Sequence, residues 1–345
     1  MTIRKRITDA LTGNPVTKPA YLVYDWFIEH IDIDWQSLFD QGLGKLNHAT
    51  IVEFERPNVE IIETKSNQDG KVRTDIKWIT DKGQLHEWFL DGWRQEYLVK
   101  SPEDYKIIAR AFSGTKFIAT DKYFDESEKQ IGDNGITVGQ IGPLGRGRTP
   151  FQTVQIDFAG LERFSIDIAT QTPELLDLLE IMNDLMVDAM KATLKSKATQ
   201  IKLWENLSVD TMGPNLYKKH LIPVYEKIFD TIKGSDKKIQ VHYDGKLKVI
   251  SDYIADIPFD GIDSLTPSPE GDMEISDARQ KWSDKFFWLH PSLSWFQKSN
   301  QELEKNIIQI IKEAGPKRFC LMISEDVPPD WKQKVPFVLN ILENL

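Results

Sequence analysis

This chain of 345 residues has one cysteine, Cys320. That excludes an intramolecular disulfide and every paired-cysteine metal motif, and it fits a reducing compartment. Long apolar runs are also missing, and no window approaches the length of a membrane span. Met1 to Leu11 carries early basic residues but lacks the apolar core and small-residue cleavage site of a secretory signal. Positive charge is in deficit: Lys and Arg total 43 against 53 Asp and Glu, a net charge of -10. Such a balance disfavours binding to nucleic acid or to an anionic membrane. Neither an internal repeat nor a low-complexity linker divides the chain. The expectation is a soluble cytoplasmic protein acting on a small molecule, with a homodimer left open.

What is present is apolar material in short runs, 40% of all residues. Ile239 to Asp244 alternates apolar and polar residues, ends on His242 and Asp244, and is turned by Gly245. Lys246 to Ala255 follows with helical spacing. The same grammar recurs at Gly261 to Leu265, which runs into a polar loop and then a helix reaching Trp282, and at Lys285 to Leu289, which ends on His290. Strand, polar loop and helix, repeated without hairpin turns, predict parallel strands joined by crossover helices. Strand starts fall near residues 20, 49, 135, 200, 238, 261, 285 and 318. The economical fold is an α/β (β/α)8 TIM barrel spanning 1–345 as one domain. Residues 56–98 break the rhythm with period-two alternation and turns at Gln68 to Gly70 and Asp81 to Gly83. They predict a β-meander, either an insertion at the barrel rim or a lid over its mouth.

In such a barrel chemistry sits at the carboxyl ends of the strands. His242, Asp244, Asp263, Glu270, Asp272 and His290 all fall there. Asp263, Asp272 and His290 are the candidate catalytic groups. Trp26, Trp204, Glu205, Asn206 and Glu270 are candidate substrate contacts, joined by Arg146 and Arg148 from the loop Gly142 to Arg148. That loop lacks the Gly-Lys-Ser/Thr ending of a phosphate loop. Bland readings stand beside these. A lone strand-end histidine is often a hydrogen-bonded core residue, acids in the 266–272 loop can cap the next helix, and most strand-end tryptophans are core. Two or three aromatic rings at the mouth would suit an apolar or quaternary-ammonium substrate.

The ordered set Gly139 to Pro150, Ile156 to Leu161, Val241 to Gly245, Gly261 to Asp263, Thr266 to Asp272 and Ile323 to Pro328 resembles the uroporphyrinogen decarboxylase superfamily. That superfamily includes cobalamin-dependent methyltransferases acting on coenzyme M and related acceptors. The resemblance implies the same barrel. Two departures bear on chemistry. The arginine-rich opening segment of the true decarboxylases is absent, since the first strand runs into Asp25-Trp26-Phe27. The methyltransferases' zinc-binding His-x-Cys becomes His242-Tyr243-Asp244, and their distant cysteine is matched by Glu325. The resemblance therefore implies a metal set of His242, Asp244 and Glu325, harder than the family's and suited to zinc, iron or manganese. The functional expectation is a metal-assisted methyltransferase for a small molecule, with a corrinoid methyl carrier on a partner protein. The alternatives are a cofactor-free decarboxylase, in which Asp244, Asp263 or His290 handles the proton, and a non-catalytic barrel that only binds a small molecule.

Overall fold

The computed structural model describes residues 1–15, 17–141 and 147–345. Strands β1 (Tyr21–Tyr24) and β2 (Gly44–Glu55) come first. The antiparallel strands β3 (Glu60–Gln68), β4 (Lys71–Thr80), β5 (Gly83–Leu90) and β6 (Trp93–Glu96) follow, then a short β7 (Lys116–Ala119). Next, with helices between them, come β8 (Gly135–Ile141), β9 (Gln200–Leu203), β10 (Lys238–His242), β11 (Gly261–Leu265), β12 (Phe286–Leu289) and β13 (Phe319–Met322). The strands β1, β2, β8, β9, β10, β11, β12 and β13 pair in that order, each parallel to the next. β13 returns to β1 with Leu321 opposite Tyr21, so the ring is closed. All eight expected strands are in it.

The strand sequences explain the closure. Tyr-Leu-Val-Tyr in β1, Phe-Phe-Trp-Leu in β12 and Phe-Cys-Leu-Met in β13 are buried throughout. Continuous short apolar runs are what parallel strands with both faces covered require. Cys320 is one of these core residues, and burial pushes its thiol well above the usual range.

Strands β3 to β6 form a separate four-stranded antiparallel sheet. Two of its turns, Asp69-Gly70 (φ 54° and 82°) and Asp91-Gly92 (φ 47° and 81°), have both central residues in the left-handed region. That is the signature of the two-residue hairpin turn whose twist matches the strands. The sheet buries Trp78 and Leu85. The Trp78 ring lies 6.1 Å from Phe112 and 5.6 Å from Phe158, so this face rests on the helix Pro102–Phe112 and the turn around Phe158. No residue of the sheet lines the cavity described below, so the expected lid contributes nothing to its wall.

Two further differences from the sequence reading have local causes. Residues 116–131 supply β7, antiparallel to the end of β2, and the helix Lys122–Ile131. A four-residue edge strand leaves too short a pattern to recognise. The helix expected from Lys246 starts only at Ser251, after a single 3-10 turn. The amides of Leu247 and Lys248 instead donate to the carboxylate of Asp272, at 2.7 and 3.0 Å. No helix among the described residues is long and apolar enough to cross a membrane.

Candidate active site

Side chains two apart on a strand share a face, so one parity of each barrel strand points inward. On β10 this parity holds Gln240 and His242, and β11 places Gly261 and Asp263 opposite them. Gln240 and Trp288 form a buried polar layer, the indole Nε1 donating to Gln240 Oε1 at 3.1 Å. A Cβ on Gly261 would lie 1.9 Å from that Oε1, so the layer needs glycine there. The same parity carries Lys202, beside Gln240 in the register, and, toward the carboxyl ends, Tyr24, His242 and Asp263, with His290 just past β12. These five are the floor of the site.

The floor is a continuous polar chain. The imidazole Nδ1 of His48 lies 2.6 Å from Asp25 Oδ1, and its Nε2 lies 2.9 Å from Lys202 Nζ. An ammonium only donates, so His48 accepts at Nε2 and carries its proton at Nδ1. Lys202 is fully buried and lies 3.0 Å from Asp263 Oδ2, with its ammonium also 4.4 and 4.5 Å from the rings of Tyr24 and Trp204. Asp263 accepts from the Tyr24 hydroxyl at 2.8 Å and meets His242 Nδ1 at 2.6 Å. The Tyr24 oxygen is 3.0 Å from His290 Nε2. As the Tyr24 proton goes to Asp263, His290 donates at Nε2. Its Nδ1 is buried, makes no hydrogen bond, and faces Glu325 Oε1 at 3.2 Å.

Burial opposes the charge on Asp263, but Lys202 and the His242 N–H outweigh it and hold the carboxyl well below the usual range. Burial pulls Lys202 down against the same carboxylate, and it pulls His48 and His290 down as well. Both these imidazoles are neutral near pH 7. Asp244 is raised by burial, with the nearby charge of Glu325 adding to the effect.

Above the floor lies a cavity of about 510 Å³, lined by Tyr24, Asp25, Trp26, Phe27, Glu29, His48, Gln140, Arg148, Trp204, Asn206, His242, Asp244 and Glu325. The structure brings together Trp26, Trp204, Asn206, Arg148, His242, Asp244 and Glu325 of the sequence candidates. Asp263 and His290 lie just beneath, reached through His242 and Tyr24. Arg148 pairs with Asp157 at 3.0 Å. Three candidates lie elsewhere. Asp272 accepts from the amides of Leu247 and Lys248, and Glu270 from the Ser294 amide at 3.2 Å, so neither caps the next helix and each ties down a turn elsewhere. Glu205 is fully buried beside the cavity, accepting from Thr149 and from the Tyr225 hydroxyl at 3.0 Å. Its burial pushes the carboxyl up to about 7. Arg146 lies outside the described residues.

The metal expectation meets a geometric difficulty. His242, Asp244 and Glu325 do line one cavity, but among the described residues no three His, Cys, Asp or Glu side chains are grouped to hold a metal ion. Glu325 Oε1 is already engaged by the hydroxyls of Ser264 and Thr266, each at 2.6 Å. His242 Nε2 and Asp244 Oδ2 are 3.9 Å apart. As arranged, these side chains do not fit a preformed zinc site with three ligands near 2.0–2.2 Å.

Sequence reasoning missed Tyr24, Asp25, His48 and Lys202. One signal was legible: a lysine inside the four-residue buried strand Gln200–Leu203 is rare unless it is paired. His48 gave none, because its partners are Asp25, just past β1, and Lys202 on β9.

The family model described as uroporphyrinogen decarboxylase (URO-D) matches residues 153–335, just over half the chain. Among solved structures, a methyltransferase from Methanosarcina mazei is 12% identical. That likeness covers 100% of this chain and 99% of that one at a TM-score of 0.59. A B12-independent methionine synthase from Shewanella sp. W3-18-1 is 9% identical, covering 90% of this chain and 83% of that one at 0.42. At such identity the first likeness speaks for the fold. Among curated proteins none matches in sequence.

Proposed function

Because the chain belongs to the uroporphyrinogen decarboxylase family, we propose that it is an enzyme working at this cavity, and more finely a methyltransferase for a small molecule. One observation carries the choice within the family. Among the described residues the cavity is lined by four carboxylates, Asp25, Glu29, Asp244 and Glu325, and by one guanidinium, Arg148, which already pairs with Asp157. A substrate bearing several carboxylates would meet repulsion where it needs cations, so this lining disfavours porphyrinogen decarboxylation.

His242 is the group that works on the substrate. Asp263 accepts the Nδ1 proton and so fixes the tautomer whose Nε2 lone pair looks into the cavity. This is the positioning logic of an Asp-His pair, with Lys202 holding the aspartate ionised. When an acceptor X–H receives a methyl group, the X–C bond forms from the acceptor's lone pair. The donor's bond to carbon breaks with its electrons staying on the leaving group, and Nε2 takes the X–H proton. General-base help of this kind contributes about 10²–10⁴-fold. Trp204 and Phe27 provide apolar wall. The methyl donor in this reading is a corrinoid on a partner protein, as the family resemblance implies. It would approach at the rim, where Trp26 and Glu29 are exposed.

The test is direct. Methylcobalamin and a panel of thiol and amine acceptors are incubated anaerobically with the protein, and loss of the methyl–cobalt absorbance is followed; uroporphyrinogen is assayed in parallel for carbon dioxide release. Demethylation without decarboxylation is expected. Decarboxylation without demethylation makes the protein a lyase.

A further inference from the structure

We propose that the methyl acceptor is a small aliphatic amine, bound as its ammonium ion between Asp244 and Glu325. This rests on the methyltransferase reading and names its substrate class.

Three observations carry it. First, Asp244 and Glu325 face the cavity, and neither has a lysine or arginine within ion-pair distance among the described residues; their nearest basic side chains are the imidazoles of His242 and His290. Glu325 is not loose, because the Ser264 and Thr266 hydroxyls fix one oxygen while the side chain stays about a quarter exposed (28%). Two carboxylates held at one wall without a cation are costly unless a ligand supplies the charge. Second, His242 is 94% buried by the complement of its 6% exposure, and its Nε2 points into the same space without a hydrogen bond. The site thus holds an acceptor atom in want of a donor. Third, the lining carries four aromatic side chains, Tyr24, Trp26, Phe27 and Trp204, beside the polar Asp25, Glu29, His48, Gln140, Arg148 and Asn206. The faces of Tyr24 and Trp204 already accept the ammonium of Lys202, so these rings suit a cation sterically and electronically.

An amine fits the chemistry as well as the charge. The ammonium gives one N–H proton to His242 Nε2 and becomes a nucleophile. Its lone pair forms the N–C bond, the donor's bond to carbon breaks with its electron pair retained by the leaving group, and nitrogen regains its positive charge. Carboxylates beside that nitrogen hold the ammonium before proton transfer and receive the charge that returns as the N–C bond forms, so they contribute binding and orientation of the acceptor. A thiol acceptor develops no such charge and would leave Asp244 and Glu325 unused.

Ligand-observed NMR titration of the full chain with butylammonium, 1-butanol and butanoate tests this without a methyl donor. Butylammonium should bind at least about tenfold tighter than 1-butanol, a difference of about 1.4 kcal/mol, and butanoate weakest. Glu325→Gln and Asp244→Asn should each erase the ammonium preference while 1-butanol binding persists, which guards against a variant that has merely failed to fold. Equal binding of the ammonium and the alcohol overturns the proposal, as does tighter binding of butanoate. A third arm titrates Zn²⁺: stoichiometric zinc lost in Asp244→Asn assigns the wall to a metal and likewise overturns it. Methyl transfer to thiols with no ammonium preference would sink this inference alone, whereas ammonium binding with no transfer to any acceptor would sink the methyltransferase reading.

Discussion

His242 Nδ1 and Asp263 Oδ2 stand 2.6 Å apart at the carboxyl ends of neighbouring strands, and the strand register makes the two residues direct partners. The pair converts a backbone alignment into a fixed imidazole orientation. Asp263→Asn keeps the shape but presents an amide that can select the other tautomer, turning an N–H toward the cavity. Turnover should fall by about 10²-fold or more with KM little changed, because substrate binding does not use Asp263. A loss confined to KM, read from initial rates, would assign Asp263 to binding instead.

Lys202 and Asp263 are both fully buried, so each is the other's main compensation. Lys202→Met should cost about 3–5 kcal/mol in urea unfolding, because it strands a buried carboxylate. The double variant Lys202→Met with Asp263→Asn should be less destabilised than Lys202→Met alone. Additive losses would show that the two charges are not coupled.

Glu205 predicts a pH signature. Its folded-state carboxyl stands at about 7 against 4.5 for an ordinary glutamate, because burial penalises the charge. Between those values the folded chain keeps a proton that the unfolded chain has released. The contribution is therefore full below about pH 4.5 and is lost as pH rises through about 7. Relative to Glu205→Gln, wild-type stability should decline by about 3 kcal/mol across that window. Parallel denaturant curves at pH 5 and pH 8, differing by a constant amount, would contradict this.

How far the sequence speaks differs between scaffold and site. The barrel strands were legible because β1, β12 and β13 are short apolar runs and the others alternate apolar and polar residues between polar loops. His242, Asp244 and Glu325 were legible as strand-end polar residues, and they do share one cavity. What could not be read is convergence. His48 and Lys202 meet across 154 residues of chain, and nothing local to either announces it. The roles of Asp272 and Glu270 were undecidable for the converse reason, since an acid after a strand caps a turn as readily as it binds a substrate. In the structure both carboxylates accept backbone amides.

Cavity charge also predicts salt dependence. With four carboxylates and one paired arginine at the wall among the described residues, butylammonium binding should weaken as ionic strength rises, whereas 1-butanol binding should not change. NMR titrations at 0.01 and 0.5 M sodium chloride, estimated to span screening lengths from about 30 Å to a few ångströms, read the difference. Salt-insensitive ammonium binding would place the cation away from Asp244 and Glu325.

The central claim is that His242 Nε2 removes the acceptor's proton during methyl transfer, and chemical rescue measures it most directly. In His242→Gly, the rate at which methylcobalamin loses its methyl group to an alkylamine should fall by about 10²–10⁴-fold. Added imidazole should restore part of it, saturably, in the vacated space. Wild-type rates in the glycine variant, or a loss that imidazole leaves untouched while the fold is intact, would contradict the account.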